Sequence, residues 1–242
     1  VLFRSLSKFA RKLRKSNVAN RRDFAVIPLE GFRPEKMKNM IAGINEALGT
    51  DIETAAILDG DYRSEAEKNA IQKNCEKFCN HVHILNRKEI ENYLLAPAAI
   101  DISAAKKLED RLSRGGRKVT YVTCADEILR KECDNSRTHV LSQRADEYVR
   151  YQKSLRAKKS DATLLKDALT EFDRNWQAKD GFTSLSPGKD VLSGINKELS
   201  DKFGVNVTPA SIIDSMKRSD IPAEIIDVIS MIENFAKQSL HA

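Results

Sequence analysis

The sequence between positions 54 and 61 reads Thr54-Ala55-Ala56-Ile57-Leu58-Asp59-Gly60-Asp61. A short run of small and apolar residues is followed at once by two carboxylates with one glycine between them. Such a run, bounded by turn-forming residues, is typical of a strand buried on both faces of a sheet. Asp59 would lie at the carboxyl end of that strand and Asp61 in the turn beyond it, at the edge where open α/β sheets bind ligands.

Two acids in this position have two interpretations. Carboxylate oxygens are the ligands that hard divalent cations prefer, so Asp59 and Asp61 are candidate metal ligands. Alternatively, Asp61 caps the helix that follows, and Asp59 is hydrogen-bonded in the turn. The remaining sequence has to decide between the two.

Composition places the chain among globular proteins. It has 242 residues, of which 41% are hydrophobic and 31% are charged. No apolar run approaches the roughly 20 residues that span a bilayer, so no membrane segment is expected. The four cysteines, of which Cys75 and Cys79 are one helical turn apart, suit reduced thiols in a cytoplasmic protein better than disulfides or a zinc site. Because the chain starts without Met and with an amphipathic pattern, we expect it to be part of a longer polypeptide.

The basic residues are clustered. The formal net charge is +6, and dense groups of Lys and Arg lie between positions 4 and 22, 111 and 118, and 150 and 159. Such clusters suit contact with a phosphate backbone, although a charge run is more often a solvated helix face. The candidate DNA contacts in these groups are Arg11, Lys12, Arg156 and Lys158.

Hydrophobic spacing predicts alternating helices and strands in the first hundred residues. The predicted elements are a helix from Val1 to about Lys15, a strand at Phe24–Leu29, a helix from Pro34 to Leu48 with an apolar face of Met37, Met40, Ile41, Ile44 and Leu48, a strand at Thr54–Leu58, a helix at Glu65–Cys79 and a strand at His81–Leu85. After Pro97 the pattern is mostly helical. It includes Ala104–Leu112, Ala125–Cys133, Thr163–Trp176, a helix after Lys189, a helix at Ala223–Ala236, and a short extended piece at Val119–Val122.

The alternation predicts an α/β fold with a parallel sheet and right-handed crossovers, followed by a mostly helical region. We expect a Toprim-like α/β domain at residues 1–97, a helical domain at 98–182, and C-terminal helices at 183–242. In this arrangement the last segment returns Lys189 to the edge of the sheet that carries Asp59.

Two further charged residues are expected at the same edge. Glu91 follows the strand that ends at Leu85, and Lys189 lies in a Pro-Gly turn before a helix, where its ammonium could reach a phosphate at the helix amino end. Three acids and a lysine suit metal-assisted cleavage of a phosphodiester, in which a cation stabilises charge on the phosphate. Each has an ordinary structural role as well, since Glu91 could be a helix-start acid and Lys189 a surface lysine.

Four motifs occur in a fixed order along the chain. They are Ile57-Leu58-Asp59-Gly60-Asp61-Tyr62-Arg63, Val82-His83-Ile84-Leu85, Glu89-Ile90-Glu91-Asn92-Tyr93-Leu94-Leu95 and Pro187-Gly188-Lys189. Together they resemble the carboxy-terminal catalytic region of the overcoming-lysogenisation-defect (OLD) family nucleases, which carry a topoisomerase–primase (Toprim) domain. The resemblance extends from about Val1 to about Leu199 and is weakest in the helical stretch between.

This resemblance implies a specific function. In that family the domain cuts DNA with two divalent metal ions, Mg²⁺ or Mn²⁺, and an ATPase domain precedes it in the same polypeptide. Asp59, Asp61 and Glu91 would correspond to metal-binding acids, and Lys189 to the catalytic lysine. The implied setting is phage defence or DNA processing. The resemblance does not fix the oligomeric state, and a homo-oligomer is one option.

One expected feature of a Toprim site is missing. The family pattern includes a glutamate on a first strand ahead of the first helix, usually within V-E-G-x-x-D. In this sequence Val1 already belongs to the predicted helix, and Glu30 follows the second predicted strand. We therefore expect the first strand and its glutamate to lie upstream of Val1.

Three alternatives stay open. A haloacid-dehalogenase-like phosphatase also places two Asp residues after a strand, although Tyr62 stands where that family has a small hydroxyl residue. A non-catalytic module could bind DNA through the basic clusters. His81 and His83 could form a transition-metal pair, but we interpret them as polar strand residues.

Overall fold

The computed structural model describes residues 2–29 and 34–238. The chain forms two compact units. The first consists of Phe3–Asn86 together with the chain from Ala223 onward, and the second of Arg87–Pro222. These boundaries differ from the predicted ones at residues 97 and 182, because the segment before Pro97 belongs to the helical unit and the last helix belongs to the unit that contains the sheet. Glu30 lies outside the described residues.

The secondary structure is mostly helical. In chain order the elements are α1 (Leu2–Leu13), α2 (Ser16–Asn20), α3 (Pro34–Leu48), β1 (Ala55–Leu58), α4 (Glu65–Cys75), β2 (His81–Ile84), α5 (Pro97–Ser113), α6 (Ala125–Ser154), α7 (Asp161–Gln177), α8 (Gly181–Leu185), α9 (Gly188–Phe203), α10 (Pro209–Ser215) and α11 (Ala223–Gln238). Short 3₁₀ helices occur at Ile90–Leu94 and Arg218–Asp220. No helix among the described residues is both long enough and apolar enough to span a membrane.

The sheet of the first unit confirms the predicted parallel pairing. β1 and β2 run parallel, with Ala55 opposite His81 and Leu58 opposite Ile84, and α4 lies in the connection between them. The prediction that β1 is buried on both faces is wrong, since Ala56 and Leu58 are buried whereas Ala55 is exposed. The fold is therefore a small α/β unit followed by a helical unit.

The core of the first unit lies on one face of this sheet. The side chains that form it come from both strands, from α3 and α4, and from the segment between α4 and β2, and they are Met37, Ile41, Ala56, Leu58, Cys75, Cys79, Val82 and Ile84. Residues that alternate along a strand share a face, which is why the buried members of β1 and β2 are two positions apart. This packing fixes the position of the carboxyl end of β1, which Asp59 directly follows.

The predicted strand at Phe24–Leu29 is not a strand in the structure. Val26 and Ile27 are 40% and 50% exposed, and Pro28 lacks the N–H that a ladder hydrogen bond needs. Among the described residues only β1 and β2 pair as strands. Leu29 still packs against the core, so the apolar pattern identified a contact but not its backbone conformation.

The helices of the first unit follow the predicted pattern with two corrections. α1 and α3 form as predicted, and Gly49, at φ +68°, ends α3 in a conformation that favours glycine. Leu48, which was expected to face inward, is 62% exposed. α4 ends at Cys75 instead of Cys79, because the chain turns there towards β2.

The second unit is helical, as predicted. α6 continues to Ser154, well beyond the predicted Cys133, and α7 and α9 lie where the pattern placed them. The extended piece at Val119–Val122 is irregular and forms no strand. α6 packs against α5, α7 and α9, and the 3₁₀ helix at Ile90–Leu94 packs against α9.

Candidate functional site

The acidic pair lies just beyond β1, as predicted. β1 ends at Leu58, Asp59 is half-buried with its Oδ1 atom inside the protein, and Asp61 is exposed with φ +48°. Asp tolerates this left-handed conformation better than most residues. The alternative in which Asp61 caps the next helix is wrong, because Ser64 is the N-cap of α4 and its Oγ accepts a 3.3 Å hydrogen bond from the Glu67 backbone N–H.

A cation that sequence reasoning missed lies beside this pair. The Nη1 atom of Arg63 is 2.7 Å from Oδ2 of Asp61, and its Nε atom is 3.8 Å from Oε1 of Glu67. Glu67 is buried at 8% exposure on the first turn of α4. Only the four-residue spacing between Arg63 and Glu67 could have indicated the second contact; the first requires the turn geometry at Asp61.

The end of β2 is held by two further side chains of the first unit. The side chain of Lys68 is buried, and its ammonium donates a hydrogen bond of 2.8 Å to the backbone oxygen of Asn86. Glu224 accepts from the backbone N–H of Asn86 at 2.8 Å and lies 2.9 Å from Nε2 of His83. These contacts fix the chain at the point where it leaves β2.

His81 and His83 lie on the same face of the sheet, since they are two residues apart. Their partners differ, because the His81 ring packs edge-on against Phe235 at a centroid distance of 6.1 Å, whereas His83 contacts Glu224. Both contacts are made to α11. The interpretation of these residues as polar strand residues therefore agrees with the contacts that they make.

Asn92 organises the Glu89–Leu95 motif in the second unit. It is completely buried, its Oδ1 accepts from the Glu89 N–H at 2.9 Å, and its Nδ2 donates to the backbone oxygens of Thr183 and Ser186 at 2.6 and 2.8 Å. Two hydrogen bonds from this buried amide join the motif to the segment that leads into α9, and the third lies within the motif. The two motifs are therefore one structural unit, although about 90 residues separate them in the sequence.

Gly188 has a steric reason to be glycine. A Cβ at this position would lie 2.7 Å from the backbone nitrogen of Asn92 and 2.9 Å from its Oδ1. Real Cβ atoms do not approach other heavy atoms this closely, so a side chain would force the two segments apart. The Pro187-Gly188-Lys189 motif thus allows close contact with the first motif.

The amino end of α9 already has a carboxylate. Its N-cap residue, Pro187, has no side-chain acceptor, and Oε1 of Glu89 accepts the N–H of Lys189 at 2.8 Å. The other carboxylate oxygen of Glu89 is 3.0 Å from the Lys88 ammonium. The helix end that was expected to be available to a phosphate is therefore occupied by Glu89, and the exposed Lys189 side chain is what remains for a ligand.

Glu91 and Lys189 lie on two segments of the second unit that pack together, the 3₁₀ helix Ile90–Leu94 and α9. Burial raises the pKa of Glu91 above its ordinary value, and the negative charge of Glu89 raises it further. A hydrogen bond to the backbone of Glu91 itself and the positive charge of Lys189 oppose this shift in the pKa. Lys189 thus contributes to the electrostatic environment of Glu91 within the second unit, while Asp59 and Asp61 lie in the first unit.

The second unit also has a cleft of about 660 Å³. Its lining includes Arg87, Tyr93, Arg130, Trp176 and Phe182, but neither Glu91 nor Lys189. The guanidinium of Arg87 lies 4.9 Å from the centre of the Tyr93 ring, and that of Arg130 lies 5.4 Å from the centre of the Phe182 ring. These cations cover the aromatic faces of the cleft. Since neither Glu91 nor Lys189 lines it, the cleft is not the site that the charged motif residues define.

The candidate DNA contacts lie on two segments. Arg11 is exposed and Lys12 is half-buried in the last turn of α1. Arg156 and Lys158 are exposed in the connection between α6 and α7, and neither forms an ion pair within the described part of the chain. The neighbouring cations Lys153 and Lys159 are paired with Asp161 and Asp167 at 2.7 Å.

The donor set is chemically uniform. Asp59, Asp61 and Glu91 offer only carboxylate oxygens, which suits a hard divalent cation such as Mg²⁺ or Mn²⁺ and not a thiophilic metal. Within residues 2–29 and 34–238, no three or more His, Cys, Asp or Glu side chains are grouped closely enough to hold a metal ion. In comparisons with known proteins, no family model, curated protein or solved structure matches this chain.

Proposed function

We propose that this chain is the catalytic region of a divalent-metal-dependent DNA endonuclease of the Toprim-containing OLD type. The residues proposed to act in this function are the carboxylates Asp59, Asp61 and Glu91 and the ammonium of Lys189. The proposal includes hydrolysis of phosphodiester bonds, an ATPase domain in the same polypeptide, and a cytoplasmic role in phage defence or DNA processing. Assembly as a homo-oligomer is part of the same proposal.

The observation that carries the proposal is the packing of the 3₁₀ helix that contains Glu91 against α9, whose first turn contains Lys189. Two motifs about 90 residues apart are joined through the buried side chain of Asn92 and the close approach of Gly188. Glu91 is a half-buried acid whose pKa is raised by burial, and such acids are frequent at functional sites, although structural ion pairs also shift pKa values. The buried hydrogen bonds of Asn92 hold the segment that contains Glu91 against the segment that leads to Lys189, which supports a function for the two residues.

The acids have the donor chemistry that the implied ions require. Asp59, Asp61 and Glu91 would hold two divalent ions, which when bound would supply an activated water and neutralise charge on the phosphate. Metal binding requires the Glu91 carboxylate to be ionised, which its raised pKa disfavours until the ion compensates the charge.

Lys189 would act on the phosphate directly. Its backbone N–H is held by Glu89, which fixes the first turn of α9 and leaves the ammonium exposed. An ammonium in this position can stabilise the charge that develops on a phosphate oxygen during cleavage. The cations Arg11, Lys12, Arg156 and Lys158 would contact the DNA backbone and set affinity and salt dependence, but not sequence choice.

The exposed side chains of Arg156 and Lys158, which form no ion pair within the described ranges, also favour a second candidate function. A non-catalytic module that binds DNA through these exposed cations would need neither Asp61 nor Lys189. It predicts salt-dependent DNA binding without any cleavage. The two candidates therefore differ in whether the function requires the acidic residues.

The proposal is tested with supercoiled plasmid and Mn²⁺ or Mg²⁺. Asp61→Asn is compared with Glu46→Gln, which removes an equal charge from an exposed position on α3 in the same unit. We expect the parent and Glu46→Gln to nick or linearise the plasmid, and Asp61→Asn to lose at least a hundredfold in rate while retaining DNA binding. Equal cleavage by the two variants, or no metal-dependent cleavage by the parent, would reject the nuclease.

A further inference from the structure

We propose that Arg63 is an internal counter-cation for Asp61, and that a divalent ion has to displace its guanidinium in order to bind this carboxylate. The inference rests on the proposed function, because it concerns regulation of the same carboxylates. It assigns to Arg63 a role in setting the metal affinity of the protein. None of the sequence motifs alone indicates such a role.

The contacts of Arg63 support this role. Its Nη1 atom is 2.7 Å from Oδ2 of Asp61, a distance typical of a charge-assisted hydrogen bond. The Arg63 side chain is only 16% exposed, so its charge is less screened than that of a surface arginine. A divalent ion that used Oδ2 of Asp61 would meet a fixed positive charge at the same oxygen, and like charges at such distances repel strongly.

The released guanidinium has a second carboxylate beside it. The Nε atom of Arg63 is 3.8 Å from Oε1 of Glu67, whose side chain is 11% exposed. A buried carboxylate is costly unless a positive charge compensates it. Arg63 can therefore give up Asp61 and still neutralise Glu67, and this second partner makes displacement feasible without exposing a buried charge.

A purely structural role for Arg63 predicts the opposite effect of mutation. If the ion pair only fixes Asp61 in its left-handed turn, its removal would disorder the carboxylate and weaken metal binding. If Arg63 competes with the ion, its removal strengthens metal binding. The sign of the change in affinity therefore separates the two roles.

The test is Mn²⁺ binding to the full chain, measured by calorimetry and by the electron paramagnetic resonance signal of free Mn²⁺. We expect Arg63→Gln to bind Mn²⁺ about three- to tenfold more tightly than the parent, in line with the energy of a partly screened ion pair. Arg63→Lys keeps the charge and should bind like the parent. Arg22→Gln, at an exposed arginine of the same unit, controls for the change in net charge.

Each outcome discriminates. If folded Arg63→Gln shows Asp59-dependent Mn²⁺ binding that is equal to or weaker than that of the parent, this inference is overturned and the proposed function still stands. An absence of Asp59-dependent binding in both the parent and Arg63→Gln overturns both. If Arg63→Gln does not fold, the ¹⁵Nε resonance of Arg63 in the parent is followed during Mg²⁺ titration. A shift that is lost in Asp59→Asn supports displacement, and an unchanged resonance refutes it.

Discussion

Replacement of Asn92 should destabilise the helical unit more than replacement of any exposed asparagine. Asn92→Ala removes two buried hydrogen bonds of 2.6 and 2.8 Å and a part-buried one of 2.9 Å, and it leaves the backbone oxygens of Thr183 and Ser186 without this donor. At about 0.5–1.5 kcal/mol for each bond, with an added penalty for unsatisfied buried groups, the expected loss is about 3–5 kcal/mol. Such a loss is large compared with the typical stability of a domain.

The single tryptophan of the chain makes the measurement specific. Trp176 is buried in α7 of the same unit as Asn92, so its fluorescence during urea denaturation reports the unfolding of that unit. The midpoint should fall with little change in slope, since the surface exposed on unfolding is the same. Asn135→Ala, at an exposed position of α6, is the matched control and should change stability by less than about 0.5 kcal/mol.

Asn92→Asp extends the same test. This substitution replaces a donor with a carboxylate that faces two backbone oxygens, so at pH 7 it should cost at least as much as Asn92→Ala. Its cost should decrease at low pH, because a protonated carboxyl can donate one hydrogen bond. A loss below about 1 kcal/mol for Asn92→Ala would refute the conclusion that this amide joins the two motifs.

Three further predictions concern packing, charge and the Tyr121 hydroxyl. Gly188→Ala should destabilise the helical unit by about 1–3 kcal/mol, because the new Cβ would lie 2.7 Å from a backbone nitrogen. Gly43→Ala, where no atom lies within 4 Å of the new Cβ, should instead stabilise α3 by about 0.5–1 kcal/mol. Comparable urea midpoints for the two variants would contradict this prediction. Glu91→Gln should raise the stability of the folded protein at pH 7. Because folding raises the pKa of Glu91, the parent loses stability as the pH rises from the pKa of the unfolded state to the raised pKa of the folded state. Glutamine does not ionise, so the variant avoids this loss. Parallel pH–stability curves for the parent and this variant would exclude that shift. Tyr121→Phe should cost about 1.5–3 kcal/mol, because it removes the 2.5 Å hydrogen bond from the Tyr121 hydroxyl to Oδ1 of Asp101, and a thermal midpoint equal to that of the parent would argue against a contribution from this bond.

The sequence predicted those parts of the fold that depend on local pattern. β1, β2 and α9 follow from short apolar runs and helical spacing, and the parallel pairing follows from the helix between the strands. The strand predicted at Phe24–Leu29 was wrong because the exposed residues of this run are as apolar as buried ones. α6 was underestimated because its buried residues become sparse after Cys133, although no Gly or Pro interrupts the chain there.

The charged site was predicted in part. The positions of Asp59 and Asp61 after β1 follow from the end of that strand, whereas the association of Glu91 with Lys189 stays a prediction. The contact between Arg63 and Asp61 was not predictable, because it depends on a left-handed turn at a residue other than glycine. The role of Asn92 was hidden as well, since its partners lie about 90 residues away and leave no periodic pattern.

The measurement that tests the proposed nuclease most directly compares Lys189→Met with Lys197→Met, two exposed lysines on α9. Plasmid cleavage with Mn²⁺ and DNA binding at two salt concentrations are measured for both variants and for the parent. We expect Lys189→Met to lose at least a hundredfold in cleavage rate with DNA binding within about twofold of the parent, and Lys197→Met to cleave normally. Equal cleavage by the two variants, or DNA binding by the parent without any metal-dependent cleavage, would contradict the account.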